Sequence, residues 1–197
     1  MKKELRGRPK TFDETEALTA AMYYFWDYGY DNTSLDNLLE AMKIKKSSFY
    51  ATFKSKEEIF SRTLTLYQEF LEETLMQMKK EIGPKATLLA IPRFSIQELQ
   101  ETGKIRGCLL VNSSRECYTT YKELEAQINL QFNQMDTIFS ALVTEAKELG
   151  EITNTREATK LKNLYLNTIN GLIISIQSGA NQETIDDIFE SIDELLI

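Results

Sequence analysis

Apolar residues recur at helical spacing along almost the whole chain. In segment after segment they stand three, four and seven residues apart, which places them on one face of an α-helix. The first and last of these faces are Leu18, Ala21, Met22, Phe25 and Trp26, and Ile185, Ile188, Phe189, Ile192 and Leu195. No segment alternates apolar and polar residues as a half-buried strand does, and the chain has only three prolines and eight glycines. The sequence therefore predicts an all-α protein.

The composition narrows the possible functions. The 197 residues suffice for one large domain or two small ones. Histidine is absent, which removes the usual base of nucleophilic catalysis and the commonest metal ligand. The two cysteines, Cys108 and Cys117, match no common zinc spacing. We expect neither an enzyme nor a bound metal or cofactor.

The sequence also argues against a membrane protein. Its most apolar run, Leu172–Ile176, has only five residues, whereas a membrane-spanning helix needs about 20. The N-terminus is basic but lacks the apolar segment of a secretory signal. We expect a cytoplasmic protein with no membrane partner.

Charge is distributed unevenly along the chain. The formal net charge is −7, but residues 1–60 hold ten basic and ten acidic residues, so the rest of the chain carries the whole excess. Five lysines and no acidic residue lie between Lys43 and Lys56. A basic island on an acidic chain favours contact with a polyanion.

The basic island lies within two short helical patterns that are separated by a tight turn. The second of them, Lys45–Phe53, is predicted to be the recognition helix of a helix-turn-helix, which enters the major groove of DNA. Lys45, Lys46 and Lys56 stand at helix N-termini, where the helix dipole disfavours a cation by roughly 0.3–1 kcal/mol. DNA phosphates or guanine edges would offset that cost. The alternative is that these are ordinary surface lysines.

The same region resembles the DNA-binding domain of the tetracycline-repressor (TetR) family. The resemblance covers residues 8–60 and is carried by the segments RPKTFD, AxxYFWDYGY, TSLDNLLEAM and KIKKSSFYATFKSKEEIF. It implies that residues 11–58 form a helix-turn-helix domain that binds double-stranded operator DNA. Residues 59–197 would then form a helical effector-binding and dimerisation domain.

The resemblance also assigns roles to individual residues. It implies that Thr33, Lys46, Tyr50 and Lys56 bind DNA phosphates, and that Lys45, Ser47, Ser48 and Ala51 face base edges. Ser34, which with Thr33 is a candidate cap of the preceding helix, and Arg8 complete the predicted DNA-binding set. Arg8 belongs to a basic arm, residues 1–10, which either enters the minor groove or is a solvated tail.

Two residues depart from the family pattern. Lys43 stands in the turn where the family usually has glycine, so we expect a positive φ at a residue for which it is costly. Lys45 replaces the usual serine or threonine, so the recognition helix is expected to lack a standard N-cap.

The second half of the chain yields broader predictions. Candidates for an effector pocket, with plain core packing as the alternative, are Tyr67, Phe94, Asn112, Tyr118, Phe132, Met135, Phe139 and Tyr165. The last two long helices have wide apolar faces, which suit a two-fold four-helix dimer interface. The predicted interface residues are Leu161, Tyr165, Ile169, Ile173, Ile176, Ile185, Ile188 and Ile192.

Together these features predict a homodimeric transcriptional regulator. The simplest form is a repressor that a small, largely apolar ligand releases from its operator. One alternative is a repressor that senses oxidants or electrophiles through Cys108 or Cys117. The other is a helical protein–protein adaptor that has kept the scaffold without reading DNA.

Overall fold

The computed structural model describes residues 12–117 and 120–197, so the basic arm with Arg8, Thr11 and Tyr118 lie outside the described residues. Within these ranges all regular secondary structure is α-helical, which confirms the predicted fold class. The helices are α1 Glu14–Tyr28, α2 Leu35–Ala41, α3 Lys46–Thr52, α4 Lys56–Ile82, α5 Pro84–Thr102, α6 Leu109–Cys117, α7 Lys122–Glu148, α8 Ala158–Gln177 and α9 Gln182–Leu195. Among them, none combines the length and the apolar character that crossing a bilayer requires.

Short polar side chains determine where several helices begin. The Asp13 carboxylate accepts hydrogen bonds from the backbone N–H groups of Thr15 (2.8 Å) and Glu16 (3.1 Å). These bonds satisfy donors that have no partner within the first turn of α1. Asp13 is therefore the N-cap of α1.

Helix α5 is continuous, although Pro92 lies in its interior. Pro84 begins the helix, where its missing N–H removes no hydrogen bond. Gly83, at φ 86°, ends α4 immediately before it. The break between α4 and α5 therefore lies at Gly83 and Pro84, and α5 is not split at Pro92.

Helix α4 connects the two parts of the molecule. Helix α1 packs on α4 and α2 packs on α1, while α5, α6 and α7 pack on α4 and α8 and α9 complete the larger helical body. Along the body α4 runs in the same direction as α7, because Gln127 Nε2 donates to Thr65 Oγ1 (2.9 Å) and Lys79 Nζ to Glu145 Oε2 (2.7 Å). One apolar core continues through both parts.

The structure corrects the predicted dimer interface. Nearly all of its residues are at most 9% exposed within the single chain and pack in its own core: Leu161, Tyr165, Ile169, Ile173, Ile176, Ile185 and Ile192. Ile188 is half-buried against the same core. The apolar periodicity was read correctly, but α5 and α7 of the same chain take part in covering these faces. Other residues must form any contact between copies through α8 and α9.

Candidate nucleic-acid interface

A tight turn joins α2 to α3. Lys43 has φ 53°, as its position in the turn predicted. The turn is closed by backbone hydrogen bonds from Lys43 N–H to the Glu40 carbonyl and from Ile44 N–H to the Leu39 carbonyl, both 3.1 Å. A residue with a Cβ pays roughly 1–2 kcal/mol for a left-handed conformation. The turn thus holds a lysine where glycine would be less strained.

The start of α3 also agrees with the sequence-based expectation. Lys45 occupies the N-cap position, and its side chain makes no capping hydrogen bond. The inner face of α3 is held by Phe49 and Phe53, both fully buried. Since these two rings define the inner face, the opposite face of this short helix points to solvent.

Most of the predicted base- and phosphate-binding residues lie together on this outer face. Lys45, Lys46, Ser47, Tyr50 and Ala51 are exposed, and Ser48 is half-buried. Tyr50 is 52% exposed and rests on the edge of the Phe49 ring, with the ring centroids 5.4 Å apart. No acidic residue lies within α3. The surface combines cations, hydroxyls and a small apolar side chain, which are the groups that contact phosphates and base edges.

Two further lysines flank this surface and were not among the predicted contacts. Lys43 at the turn and Lys54 just after α3 are both exposed. They belong to the basic island, and that charge run is the sequence signal by which they could have been included. We refer to Lys43, Lys45, Lys46, Tyr50 and Lys54 as the basic face.

The structure corrects the role predicted for Thr33. Its side chain is only 1% exposed, and its hydroxyl donates to the Gly29 carbonyl at 2.6 Å. Its backbone N–H donates to the Tyr30 carbonyl. Both donors are used inside the domain, so Thr33 has none to offer a phosphate. Ser34 is exposed but caps α2, with its hydroxyl oxygen accepting from Asn37 N–H at 3.1 Å.

Lys56 also differs from the prediction. Its ammonium lies 4.1 Å from the centroid of the Tyr30 ring, and the side chain is half-buried. Burial lowers the pKa of Lys56, although the nearby carboxylates of Asp31, Glu57 and Glu116 oppose that shift. The geometry is that of a cation–π contact at the base of the domain. Lys56 therefore faces the helical body and does not belong to the basic face.

Helix α6 and the N-cap of α7 contact the loop between α1 and α2. Glu116 Oε2 accepts a hydrogen bond from the backbone N–H of Tyr30 at 2.7 Å. Next to it, Tyr121 donates to Asp31 Oδ1 at 2.6 Å, which raises the pKa of Tyr121 to about 12. Both bonds end on the loop between α1 and α2. We call this loop contact, formed by Glu116 and Tyr121, the junction.

A cavity of about 120 Å³ lies in the body, and the residues that line it are all uncharged. It lies between α4, α5, α6, α7 and α8, and Tyr67, Met135 and Phe139 line it as the sequence predicted. Sequence reasoning did not include the other lining residues, which are Leu71, Ile91, Ser95, Gly107, Cys108, Val111, Leu166, Ile169, Asn170 and Ile173. They come from four separate helices, α4, α5, α6 and α8, and from the connection before α6, so no local pattern in the sequence brings them together.

The remaining pocket candidates lie elsewhere. Phe94 is 53% exposed on the outside of α5, and Phe132 packs half-buried against the core. Tyr165 is fully buried, and its hydroxyl donates to the Leu88 carbonyl. Asn112 lines a different, polar cavity of about 790 Å³ between α1 and the body. Core packing, the stated alternative, explains Phe132 and Tyr165, whereas Phe94 lies at the surface and Asn112 lines the other cavity.

Neither cysteine is in a setting that favours a thiolate. Burial raises the pKa of Cys108, which lines the cavity, and raises that of Cys117 to about 12. A reactive cysteine usually has its pKa lowered by a neighbouring cation or helix N-terminus. The described residues also contain no group of His, Cys, Asp or Glu placed to hold a metal ion.

A short helix with an exposed basic face, held by a turn and backed by a helical body, defines a helix-turn-helix DNA-binding regulator. Comparison with known proteins agrees. Residues 17–63 match the family model of bacterial regulatory proteins of the tetR family. The HTH-type transcriptional repressor ComR of Escherichia coli K12 is 28% identical over 183 residues, which are 92% of this chain and 87% of ComR.

Two solved structures share the fold. The regulatory protein TetR from Rhodobacter sphaeroides superposes with a TM-score of 0.80 at 19% identity, over 93% of this chain and 98% of that one. A cysteine mutant of the TetR-family regulator CifR, solved with 26 bp of operator DNA, has a TM-score of 0.76 at 22% identity, over 96% and 98% of the two chains. The family model, the relatives and the shared fold all indicate a TetR-family transcriptional regulator.

Proposed function

We propose that this protein is a homodimeric repressor that binds operator DNA through α3 and is released when a small uncharged molecule occupies the 120 Å³ cavity. The observation that carries the proposal is the placement of α6. Cys108 and Val111, at the N-terminal end of α6, line the cavity, while Glu116 at the other end bonds to the DNA-binding domain. One short helix therefore touches both sites.

The basic face supports the DNA-binding part of the proposal. Lys45 and Lys46 stand at the exposed end of α3, with Lys43 and Lys54 on either side. Phosphate contacts by such lysines supply affinity, and groups on the same helix supply base preference. The relative ComR is named a repressor, which supports repression over activation for this chain.

The outward face of α8 supports the homodimer. Residues 163–182 contain no charged residue, although charged residues make up 27% of the chain. Leu164 (42%) and Ile174 (49%) are exposed on this face, and Gly171 between them has open space where a Cβ would stand. An uncharged apolar strip with room for close approach suits the packing of a second helix. We call Leu164, Gly171 and Ile174 the α8 strip.

Helix α9 is a poorer candidate for the centre of that contact. Its exposed residues are mainly acidic: Glu183, Asp186, Asp187, Glu190 and Glu194. In a two-fold dimer each patch meets its own copy or a near neighbour, so these carboxylates would repel one another. The proposed interface is therefore centred on α8, with the acidic face of α9 at its edge.

The proposed release is a shift between two states of the dimer. A ligand in the cavity would displace α6 and with it Glu116, which holds the loop at Tyr30. Dimeric helix-turn-helix proteins need their two recognition helices one helical turn of DNA apart, so a small rotation of each domain weakens binding. The ligand acts to the extent that it binds the second state more tightly.

The proposal can be tested with operator DNA selected by the protein from random duplexes. We expect Lys45→Glu with Lys46→Glu to abolish binding to the selected duplex, measured by fluorescence anisotropy at fixed salt concentration. The matched control is Lys122→Glu with Lys160→Glu, two exposed lysines of the body, which should bind nearly as the wild type does. Equal binding by the α3 variant would refute the DNA-binding assignment.

A second measurement tests release. Uncharged compounds are screened for a rise in melting temperature, and each that raises it is added to the operator complex. Linkage requires that a compound acting through the proposed switch both stabilises the protein and lowers operator affinity. Compounds that fill the cavity but leave operator affinity unchanged would show that the cavity is not the regulatory site.

A further inference from the structure

Two buried glutamines have polar groups with no partner. Gln68 on α4 is 3% exposed, and neither its amide nitrogen nor its amide oxygen makes a hydrogen bond. Gln131 on α7 is 2% exposed, and its amide oxygen is likewise without a partner. Buried polar groups are almost always paired, because removing them from water without a partner is costly. Three such atoms at one level of the molecule need an explanation.

Both glutamines lie in the contact between α4 and α7. Gln131 Nε2 reaches Thr65 Oγ1 on α4 at 3.5 Å, and Gln127 donates to the same hydroxyl at 2.9 Å. Gln68 follows Thr65 by three residues, so it lies about one helical turn further along nearly the same face of α4. The two helices run in the same direction, so Gln68 and Gln131 stand at one level.

This level borders the 120 Å³ cavity. Leu71 on α4 follows Gln68 by three residues, and Met135 on α7 follows Gln131 by four, and both Leu71 and Met135 line the cavity. One turn of helix is about 5.4 Å, which a small polar group can bridge. The orphaned amides therefore lie between the cavity and the end of the body that carries the DNA-binding helices.

The lining and the volume of the cavity restrict the charge and the size of a ligand that it can hold. None of its lining residues is charged, and an ionised group without a partner is strongly disfavoured there. A dry cavity of about 150 Å³ holds a benzene-sized molecule, so 120 Å³ suits an apolar part of roughly six to eight non-hydrogen atoms.

We propose that Gln68 and Gln131 are the polar anchors of the effector, which is an uncharged compound with a small apolar body and a primary amide head. The inference rests on the proposed function, since it names the ligand class of the same cavity. A primary amide both donates and accepts, and so it complements the free nitrogen and oxygen of Gln68 and the free oxygen of Gln131. Its entry between α4 and α7 would give hydrogen-bond partners to these three buried atoms, which favours binding.

The test uses three probes of similar size, benzamide, toluene and benzoate, on the full-length protein. Benzamide should raise the melting temperature of the wild type more than toluene does, and benzoate should raise it least because its charge has no partner. An equal or smaller shift with benzamide than with toluene would overturn the proposal without any variant.

The variant Gln68→Leu with Gln131→Leu tests the anchors themselves. Because it removes unsatisfied amides and keeps similar volume, we expect its melting temperature without ligand to rise by about 2 °C or more. The advantage of benzamide over toluene should disappear. The control is Gln77→Leu with Gln134→Leu, which makes the same changes at exposed positions of the same two helices and should keep the wild-type order of probes.

Two results with the variant would contradict the proposal. A lower melting temperature than the wild type would mean that the amides have partners, and a retained benzamide preference would place the head elsewhere. Operator binding without any probe is measured in parallel. If the protein binds its operator without a probe and another compound releases the DNA, only the anchor assignment has failed. If the wild type does not bind the operator even without a probe, the proposed function is refuted.

Discussion

A Cβ atom at Gly29 would stand 2.2 Å from Oε1 of Glu116, a residue 87 positions further along the chain. Gly29 has φ 79° and ψ 171°, a backbone conformation that is essentially confined to glycine. The same carboxylate accepts the hydrogen bond from Tyr30 N–H, the residue next to Gly29. The glycine thus ends α1 and leaves the space in which α6 contacts the DNA-binding domain.

We expect Gly29→Ala to weaken the junction. The backbone strain costs about 1–3 kcal/mol, and the new methyl group displaces the Glu116 carboxylate. Thermal or urea unfolding measures the loss, and operator affinity should fall in parallel because the domain is held less firmly. Gly150→Ala is the control, since Gly150 has φ 73° but open space around its Cβ position. A loss no greater than that of Gly150→Ala would contradict the role given to the contact.

Glu116→Ala should act through the same hydrogen bond. It leaves the Tyr30 N–H without its partner, which costs about 1–3 kcal/mol of unfolding free energy if the group stays buried. Because Gly29→Ala and Glu116→Ala disrupt one interaction, the double variant should lose less stability than the two single losses added together. Strict additivity in this double-mutant cycle would mean that the two residues act independently.

The basic face predicts a specific salt dependence. Lys45→Ala and Lys46→Ala should each reduce the slope of log affinity against log salt by about 0.9 if each lysine neutralises one phosphate. Lys56→Ala should leave the slope unchanged and reduce stability instead, because its ammonium lies over the Tyr30 ring. Titrations of each variant across a salt series decide the matter. A change of slope in Lys56→Ala comparable to that of Lys46→Ala would restore the phosphate role for Lys56.

The α8 strip predicts which substitutions separate the protomers. Leu164→Glu with Ile174→Glu should yield monomers in sedimentation, because two carboxylates would be buried against their symmetry copies without partners. Operator binding should be lost with the dimer, since one half-site supplies too few contacts. Leu130→Glu with Leu149→Glu changes two equally exposed apolar residues elsewhere (49% and 61%) and should remain dimeric. A dimeric α8 variant would refute the proposed interface.

The cysteines predict an alkaline pH dependence. An unperturbed cysteine has a pKa near 8.5, and burial raises that of Cys117 to about 12 in the folded protein. The neutral thiol is therefore favoured by folding, so this contribution is complete below pH ~8.5 and is lost as the pH rises towards 12. Unfolding measured against pH should show a smaller alkaline decline in Cys117→Ala than in the wild type.

The same burial predicts slow modification. At pH 8 iodoacetamide should alkylate both cysteines of the native protein more slowly than those of the unfolded protein, because little thiolate is present. Rapid native alkylation of Cys108 with release of operator DNA would favour the electrophile-sensor alternative. If iodoacetamide still releases the DNA from the Cys108→Ser variant, Cys108 is not the sensor.

What the sequence determined by itself was local. Helical periodicity, capping residues and the turn at Lys43 depend on neighbours a few positions away, so the all-α fold, the recognition helix and its uncapped start were predictable. The burial of Phe49 and Phe53 and the exposure of Tyr50 follow from the same periodicity.

Only the tertiary structure decided what covers each face and what each long side chain meets. Periodicity shows that α8 has an apolar face, but whether it packs on its own chain or on a partner depends on α5 and α7, far away in sequence. Lys56 meets Tyr30, and Glu116 meets Gly29, through contacts across 26 and 87 positions. The cavity and the two unsatisfied glutamines beside it arise from helices that are distant in sequence, and no local pattern records which residues such packing brings together.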